Sequence, residues 1–230
     1  MFTETWLDSD VPDSCISLPG YNIVRKDRNK YGGGIAIYLA VSLAFEILNV
    51  DSTCIPTLHL CESEILSVLF PALKIVLIAI YHPFWKDALR NEHAFSCISD
   101  IIEFVFTLPF FNPSSTKIIV CGDFNDLDSH VITLENSFGL HRKVFANTRG
   151  NRTLDHIFTN IRSDCEPSVS APFGRSDHSV VMWNPGRTKA PSVIKKRIRN
   201  FSKTNRCKFE TSVSLVNWNL IKKIVMLILR

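Results

Sequence analysis

The sequence predicts an α/β sandwich in which strands dominate and helices cover them. Short apolar runs rich in β-branched and aromatic residues are separated by turn residues, and one longer segment repeats its apolar residues at helical spacing. Polar side chains follow several of the runs at their carboxyl ends, where α/β folds place their sites. With 230 residues, 46% hydrophobic and 21% charged, the chain can form one globular domain and a tail.

The first predicted strands lie in the N-terminal half. Gly33 and Gly34 lead into a strand over residues 35–39, and the runs 65–70 and 75–81 are also of strand length. Pro71 and Lys74 interrupt the longest apolar stretch, which is therefore too broken to span a bilayer. We interpret it as two strands joined by a turn and expect no membrane partner.

A helix is predicted from Asn91 to the prolines at 109 and 113. Apolar residues recur there at positions 95, 98, 101, 102, 105 and 106, which is helical spacing. Residues 117–121 then form a buried strand that ends just before Asp123.

The remaining elements are shorter. Ser129 is expected to cap a second helix that ends at Phe138, and residues 154–159 and 179–183 are predicted strands.

Two short segments carry the clearest chemical pattern: GDFN at 122–125 and SDH at 176–178, with the pair Asp155-His156 between them. Carboxylates can hold a hard cation and direct water, an amide can grip a phosphate oxygen, and an imidazole can handle protons. The set predicts a metal-dependent phosphoesterase. Taken singly, GDFN is equally compatible with a turn, and Asp155 or Asp177 alone is more compatible with a strand end.

Charge and cysteine content limit the class of protein. The net charge is +4, but residues 186–208 hold nine basic residues and no acid, which fits a solvated linker or a contact with a phosphate backbone. Seven scattered cysteines without a CxxC pair indicate neither a zinc site nor a disulfide framework. The N-terminus shows no secretion signal, so we expect an intracellular protein.

A family resemblance is carried by motifs in a fixed order: TETWL at 3–7, GGGIA at 32–36, IYHP at 80–83, GDFN, Thr148-Arg149, LDHI at 154–157 and SDH. In this order they resemble the endonuclease/exonuclease/phosphatase superfamily, and more closely the apurinic-type endonuclease domain of non-LTR (LINE-type) retrotransposons. The resemblance covers residues 3 to about 183. It implies a four-layer α/β sandwich of two packed mixed β-sheets flanked by helices, with Mg²⁺ (or Mn²⁺) as cofactor, DNA as partner and a nuclear location.

The resemblance also implies roles for the acidic and amide residues. Glu4 matches the glutamate that binds the metal, and Asp177 matches an acid beside the metal site. Asp123 matches the acid that orients or deprotonates the attacking water. Asn125 matches the amide that binds the phosphate or its transition state.

Further roles follow from the same resemblance. His178 matches the imidazole that contacts the phosphoryl oxygens, and Asp155 the acid that orients it. Tyr81 matches a tyrosine near the scissile phosphate. Thr148 matches a threonine implicated in substrate contact. Independently of the resemblance, the loop 147–152, with Arg149 and Arg152, is a candidate contact to the DNA backbone because of its charge.

Two histidines beside these motifs are treated separately. By strand alternation His156 points away from Asp155, so we interpret it as a packed or surface residue. His82 follows Tyr81, and both a structural and a functional role are open for it.

Family members carry a strand and a helix, with an early asparagine, before the ETWL element, whereas Glu4 is the fourth residue here. We therefore expect the fold to lack its first strand and helix, with the nuclease domain at 1–185 and a basic linker and apolar tail at 186–230. The family's parent polyprotein continues into a reverse transcriptase domain, which nothing in this chain resembles.

Three functions are compatible with the sequence. The first is a Mg²⁺-dependent DNA endonuclease, derived from a retrotransposon, that nicks target DNA to prime reverse transcription. The second is an inactive remnant or binding module, and the third is a phosphatase of the same fold that acts on a small phosphoester.

Overall fold

The computed structural model describes residues 1–186, 207–208, 211 and 214–215. The chain divides into two compact units, Met1–Thr188 and Lys189–Arg230. Almost all of the predicted linker and tail, residues 186–230, lies outside the described residues. None of the helices in the described part of the chain has the length and apolar character needed to cross a membrane.

The first unit contains eleven strands and two α-helices in its described part. In chain order they are β1 (Phe2–Thr3), β2 (Tyr21–Lys26), β3 (Ile35–Ala40), β4 (Glu46–Leu48), β5 (Glu64–Phe70), β6 (Ile75–Tyr81), α1 (Ala88–Thr107), β7 (Lys117–Asp123), α2 (Asp128–Phe138), β8 (His141–Arg142), β9 (Asp155–Thr159), β10 (Ser168–Ser170) and β11 (Val180–Met182). Short 3₁₀ helices lie at Asp13–Cys15, Pro56–Leu60 and Pro71–Leu73.

Six strands form the central sheet in the order β4-β5-β6-β7-β9-β8. Strands β6 and β7 are parallel, and the other neighbours are antiparallel. The parallel pair needs a crossover connection, which α1 supplies, whereas Pro71–Leu73 is enough to join the antiparallel pair β5 and β6. The sheet is therefore mixed.

Both faces of the central sheet are buried. Helices α1 and α2 cover one face through residues such as Ile98, Ile102 and Leu134. On the other face, Ile35 and Ile37 of β3 join a second hydrophobic cluster with residues of β5 and β6. Burial on two faces explains why β6 is a continuous apolar run and why β5 is apolar apart from Glu64 and Ser67, rather than alternating.

The prediction of an α/β sandwich is confirmed in part. The second sheet, β1-β3-β2, is antiparallel rather than mixed, and β10 and β11 form a separate antiparallel pair. In the described residues both α-helices pack on the same face of the central sheet, so three layers are seen there instead of the predicted four.

The predicted strands and helices are present, and two helix starts differ from the prediction. Helix α1 begins three residues before Asn91, because the carboxylate of Asp87 caps it by accepting from the main-chain N–H groups of Leu89 and Arg90. The prediction that Ser129 caps α2 is wrong. The helix begins at Asp128 with Leu127 at the N-cap, so Ser129 lies inside the first turn.

Candidate active site

Three polar residues meet where neighbouring strands of the central sheet end or begin. Asp123 ends β7, and strand register places it opposite Tyr81 at the end of β6 and opposite Asp155 at the start of β9. Cα atoms of paired residues on adjacent strands lie about 4.5–5.5 Å apart, so the three side chains lie side by side at one end of these strands. Sequence order separates them widely, and the sheet brings them together.

Gly122 allows β7 to approach β6 closely just before Asp123. Its φ is +149°, and a Cβ atom at this position would lie 1.8 Å from the carbonyl oxygen of Ile80. No side chain fits at that distance. The glycine of the GDFN motif therefore places the Asp123 carboxylate.

His178 links the two aspartates. Its Nδ1–H donates to Oδ2 of Asp155 at 2.9 Å, and its Nε2 lies 3.9 Å from Oδ2 of Asp123. The segment that carries it is fixed by a bond from the main-chain N–H of His178 to the Ser176 hydroxyl, 3.1 Å, and by one from Ser179 to the Thr148 carbonyl, 2.7 Å. This is the geometry that an acid orienting an imidazole requires.

Burial and neighbouring charges change the acidity of this cluster. Burial raises the pKa of Asp123 to about 7, with a further contribution from the nearby Asp155 carboxylate, while His178 acts in the opposite direction. The pKa of His178 is raised above its ordinary value, chiefly by the hydrogen bond to Asp155. Asp123 can therefore exchange a proton near neutral pH, while the Asp155 hydrogen bond favours the charged form of His178.

Asn125 is buried directly beside Asp123. Its φ of +41° is in the left-handed region, which asparagine tolerates better than most residues. Its main-chain N–H donates to Oδ1 of Asp123 at 3.1 Å, and its Nδ2 donates to the carbonyl of His82 at 2.8 Å. Within the described residues its Oδ1 has no hydrogen-bond partner, so this buried acceptor is available to a ligand or water.

Tyr81 and Glu4 form the second pair of the site. The Tyr81 hydroxyl donates to Oε1 of Glu4 at 2.5 Å, and the Arg28 guanidinium lies 5.7 Å from the Tyr81 ring centre. Burial, followed by the hydrogen bond and the charge of Glu4, raises the pKa of Tyr81. The phenol therefore stays protonated and acts as a donor.

Asp177 and Arg149 bind each other across the rim of the site. Nη2 of Arg149 lies 2.6 Å from Oδ2 of Asp177, and both side chains are exposed. To bind a metal ion, Asp177 would have to break this ion pair. Arg149 would have to break it to contact DNA. Both assignments stay predictions.

Thr148 is buried, and its hydroxyl oxygen accepts hydrogen bonds from the main-chain N–H groups of Leu154 and Asp155, at 3.0 and 3.1 Å. The hydroxyl thus fixes the start of β9 and the position of Asp155. Its predicted contact with substrate stays a prediction, and the structure gives the side chain a different role.

The two histidines beside the motifs are both buried. His156 packs between Phe124 and Phe158, on the opposite face of β9 from the Asp155 carboxylate, as strand alternation predicts. His82 contacts Ser63 and Asn91, 19 residues before it and 9 after it. Sequence reasoning missed Ser63 and Asn91, because neither carries a motif.

An open cavity of about 700 Å³ lies over the cluster. Its polar lining includes Glu4, Asp123, Asp155, Asp177 and His178, and its apolar lining includes Phe2 of β1 and Val181 of β11. Solvent and a substrate therefore have access to Asp123 although that side chain is almost fully buried.

Asp123, Asp155 and His178 fit a divalent cation. Each offers one ligand atom, and these atoms all lie within 4.8 Å of one another. Mg²⁺ favours carboxylate oxygens, and Mn²⁺ also accepts imidazole. This trio differs from the predicted metal ligands, Glu4 and Asp177. Glu4 lines the same cavity, and its role as a ligand stays a prediction.

Comparisons with known proteins support the fold. The structure is similar to TDP2 from C. elegans, with 14% identity and a TM-score of 0.51, over 78% of this chain and 62% of that chain. A Bacteroides vulgatus protein described as an endonuclease/exonuclease/phosphatase matches with 15% identity and a TM-score of 0.48, over 70% of this chain and 74% of that chain. D. rerio TDP2 in complex with a single-strand DNA product matches with 16% identity and a TM-score of 0.44, over 70% of this chain and 74% of that chain.

These similarities concern the fold alone. Of the three, only the C. elegans match has a TM-score above 0.5, so the comparison of folds depends on that match. The chain spans less than two thirds of that C. elegans chain. No protein-family model matches the sequence, and no curated protein matches it. What the comparisons show is that the chain shares its fold with TDP2 from C. elegans.

Proposed function

We propose that the protein is a divalent-metal-dependent phosphodiesterase that nicks DNA. The observation that carries the proposal is the cluster of Asp123, Asp155 and His178, with ligand atoms within 4.8 Å of one another at the floor of an open cavity. Two carboxylates and an imidazole at the mouth of a sheet are the groups that hydrolysis of a phosphodiester requires.

Asp123 is the group best placed to orient the attacking water or to accept its proton. Its pKa is about 7 without a bound cation, and a cation held by the same carboxylate would lower it, so with the cation in place Asp123 would act mainly by orienting the water. Asn125 lies next to it with an unpartnered, buried Oδ1, which can accept a hydrogen bond from the same water. The two side chains would orient the water toward the phosphorus atom.

His178 is suited to stabilise negative charge on the phosphoryl oxygens. The hydrogen bond from Nδ1 to Asp155 favours the imidazolium and leaves Nε2–H directed toward Asp123 and the cavity. A charged donor fixed in this way needs no reorganisation as charge develops. Asp155 thus acts through His178.

Asp123 and Asp155 would hold the cation through their carboxylate oxygens, and Glu4 lies in the same cavity. His178, as the imidazolium, would face the phosphoryl oxygens and would not bind the cation. A bound Mg²⁺ or Mn²⁺ would neutralise the phosphodiester and lower the pKa of a water molecule. The residues present fit this cofactor because carboxylate oxygens predominate among them.

We further propose that the protein derives from a retrotransposon. The motifs from TETWL to SDH resemble the endonuclease domain of LINE-type elements, and this resemblance supports DNA as the substrate. A nick that leaves a 3′ hydroxyl would then prime a reverse transcriptase carried elsewhere, and the protein would act in the nucleus.

Nicking of supercoiled plasmid by the purified full chain tests the proposal. We expect open-circle product with Mg²⁺, none with EDTA, and loss of nicking in His178→Ala. His59→Ala is the matched control, because His59 is exposed and does not line the cavity. A folded wild-type protein that leaves the plasmid intact, or nicking that survives His178→Ala, would contradict the proposal. Release of phosphate from inositol phosphates without nicking would instead support the phosphatase.

A further inference from the structure

His82 is joined through its main chain to two residues of the site. Its N–H donates to the carbonyl of Asp123 at 2.9 Å, and its own carbonyl accepts from Nδ2 of Asn125 at 2.8 Å. It directly follows β6, so any displacement of this residue moves the acceptor to which the Asn125 amide is bound.

The His82 ring is clamped from both sides. It is only 1% exposed, with Nδ1 2.9 Å from the Ser63 hydroxyl and Nε2 3.0 Å from Oδ1 of Asn91. The Asn91 NH₂ group donates to the carbonyl of Asp126 at 3.4 Å, so the oxygen of that amide must face the ring. Nε2 therefore carries the hydrogen, and Nδ1 accepts from the Ser63 hydroxyl.

The direction of the Asn125 amide follows from the main-chain carbonyl of His82. A main-chain carbonyl can only accept, so the NH₂ group of Asn125 must face His82 and the Oδ1 atom must point the other way. The flipped amide would place two oxygens against each other. The free Oδ1 is the atom that the proposed function uses to orient water.

We infer that His82 is a positioning residue: its clamped ring holds the 81–83 turn so that the Asn125 amide presents Oδ1 beside Asp123. The inference rests on the proposed function. His82 contacts neither substrate nor metal in this role. It acts on Asn125 through its carbonyl, and Ser63 and Asn91 act on His82.

Removing the hydrogen bond between Ser63 and the His82 ring tests the inference, because the substitution changes the side-chain volume only slightly. Ser63→Ala removes the hydroxyl that donates to Nδ1, and Ser63→Thr retains it. We expect Ser63→Ala to lower kcat for plasmid nicking by roughly 10–100-fold, the range measured when a supporting hydrogen bond to a site residue is lost. KM and the affinity for Mn²⁺ should change less than about twofold, because Asp123, Asp155 and His178 are untouched.

Two further variants complete the kinetic series. Ser63→Thr should restore most of kcat, and Ser67→Ala should leave it unchanged, because Ser67 is a buried serine of β5 outside the clamp. His82→Ala should lower kcat at least as much as Ser63→Ala. Should His82→Ala fail to fold, the Ser63 pair alone decides the kinetic question. Wild-type kcat in folded Ser63→Ala would overturn the inference.

An NMR measurement that does not depend on catalysis tests the role of His82 separately from the proposed function. The side-chain NH₂ resonances of Asn125 in ¹H–¹⁵N spectra should move in Ser63→Ala and stay in place in Ser67→Ala. If the wild-type protein nicks no DNA, the proposed function fails and these resonances decide the positioning role. Unmoved resonances in Ser63→Ala would overturn it.

Discussion

Nδ1 of His178 lies 2.9 Å from Oδ2 of Asp155, whose main chain is paired with Asp123 across β7 and β9. The imidazole is thus attached to the sheet that carries the buried aspartate, although His178 itself belongs to a loop before β11. Its ring orientation and charge both depend on Asp155.

Asp155→Asn should therefore lower the pKa of His178 and the rate of nicking together. The amide keeps the shape of the carboxylate but removes the charge that favours the imidazolium. We expect a loss of about 10²–10⁴-fold in kcat, the usual contribution of a positioned acid or base. An NMR titration of His178 and plasmid nicking check the two effects. Asp13→Asn, at an exposed carboxylate paired with Arg25, serves as control.

A second prediction concerns the pH dependence of stability without metal. The pKa of Asp123 is about 7 in the folded protein and about 3.9 in an unfolded chain. Its stabilising contribution is complete below about pH 4 and is lost as the pH rises through about 7, because the unfolded state then gives up its proton more readily. The raised pKa of His178 acts in the same direction.

Thermal unfolding in EDTA between pH 5 and pH 8 measures this effect. The melting temperature of the wild-type protein should fall relative to that of Asp123→Asn as the pH rises. Mg²⁺ should stabilise the wild-type protein more at pH 8 than at pH 5, because the cation and the proton compete for the same carboxylate. A difference between the two proteins that is constant over this range would contradict the prediction.

Gly122→Ala should destabilise the fold strongly. The added Cβ would meet the Ile80 carbonyl at 1.8 Å, so we expect a loss of about 3 kcal/mol or more from overpacking and backbone strain. Gly139→Ala separates the two causes, since Gly139 has a φ of +60° but no atom lies within 4 Å of the place that an added methyl group would take. It should cost about 1–2 kcal/mol, the conformational term alone. Urea unfolding gives both values, and equal losses would show that the clash is unimportant.

Tyr81→Phe tests whether Glu4 belongs to the metal site. The variant keeps the buried ring and removes the hydroxyl that holds Glu4 at 2.5 Å. If Glu4 is a ligand, Mn²⁺ affinity measured by calorimetry should fall by about tenfold or more, while the melting temperature changes little. Tyr38→Phe, which removes a bond to the Ile16 carbonyl, is the matched control. Unchanged affinity in Tyr81→Phe would remove Glu4 from the ligand set.

The strands and the long helix could be predicted from the sequence because each depends on a local apolar pattern. The start of α1 could not, because it is set by the Asp87 carboxylate, which lies seven residues before the first buried apolar residue, Ala94. For α2 a plausible capping residue, Ser129, misled the prediction, and the chain enters that helix through the buried Leu127 instead.

The candidate site, like the helices, could be predicted from the sequence only in part. The motifs identify Asp123, Asp155 and His178, but their proximity depends on the register of β7 against β9, which residue spacing alone does not reveal. The inward hydroxyl of Thr148 bonds the residues six and seven positions later, and the clamp around His82 joins residues 19 positions before it and nine after it. Such contacts leave no periodic signal in either segment.

The parts of this site differ in how firmly they are attached. Asp123 and Asp155 lie on inner strands of the six-stranded sheet, whereas Glu4 follows the two-residue strand β1, held beyond it by main-chain bonds from Thr5 to Gly34 and from Trp6 to Gly33. A short edge strand opens at a far smaller free energy than the core of a sheet. The carboxylate of Glu4 is therefore held by a few main-chain bonds at a sheet edge and by the Tyr81 hydroxyl, whereas each aspartate belongs to a strand that is paired on both sides.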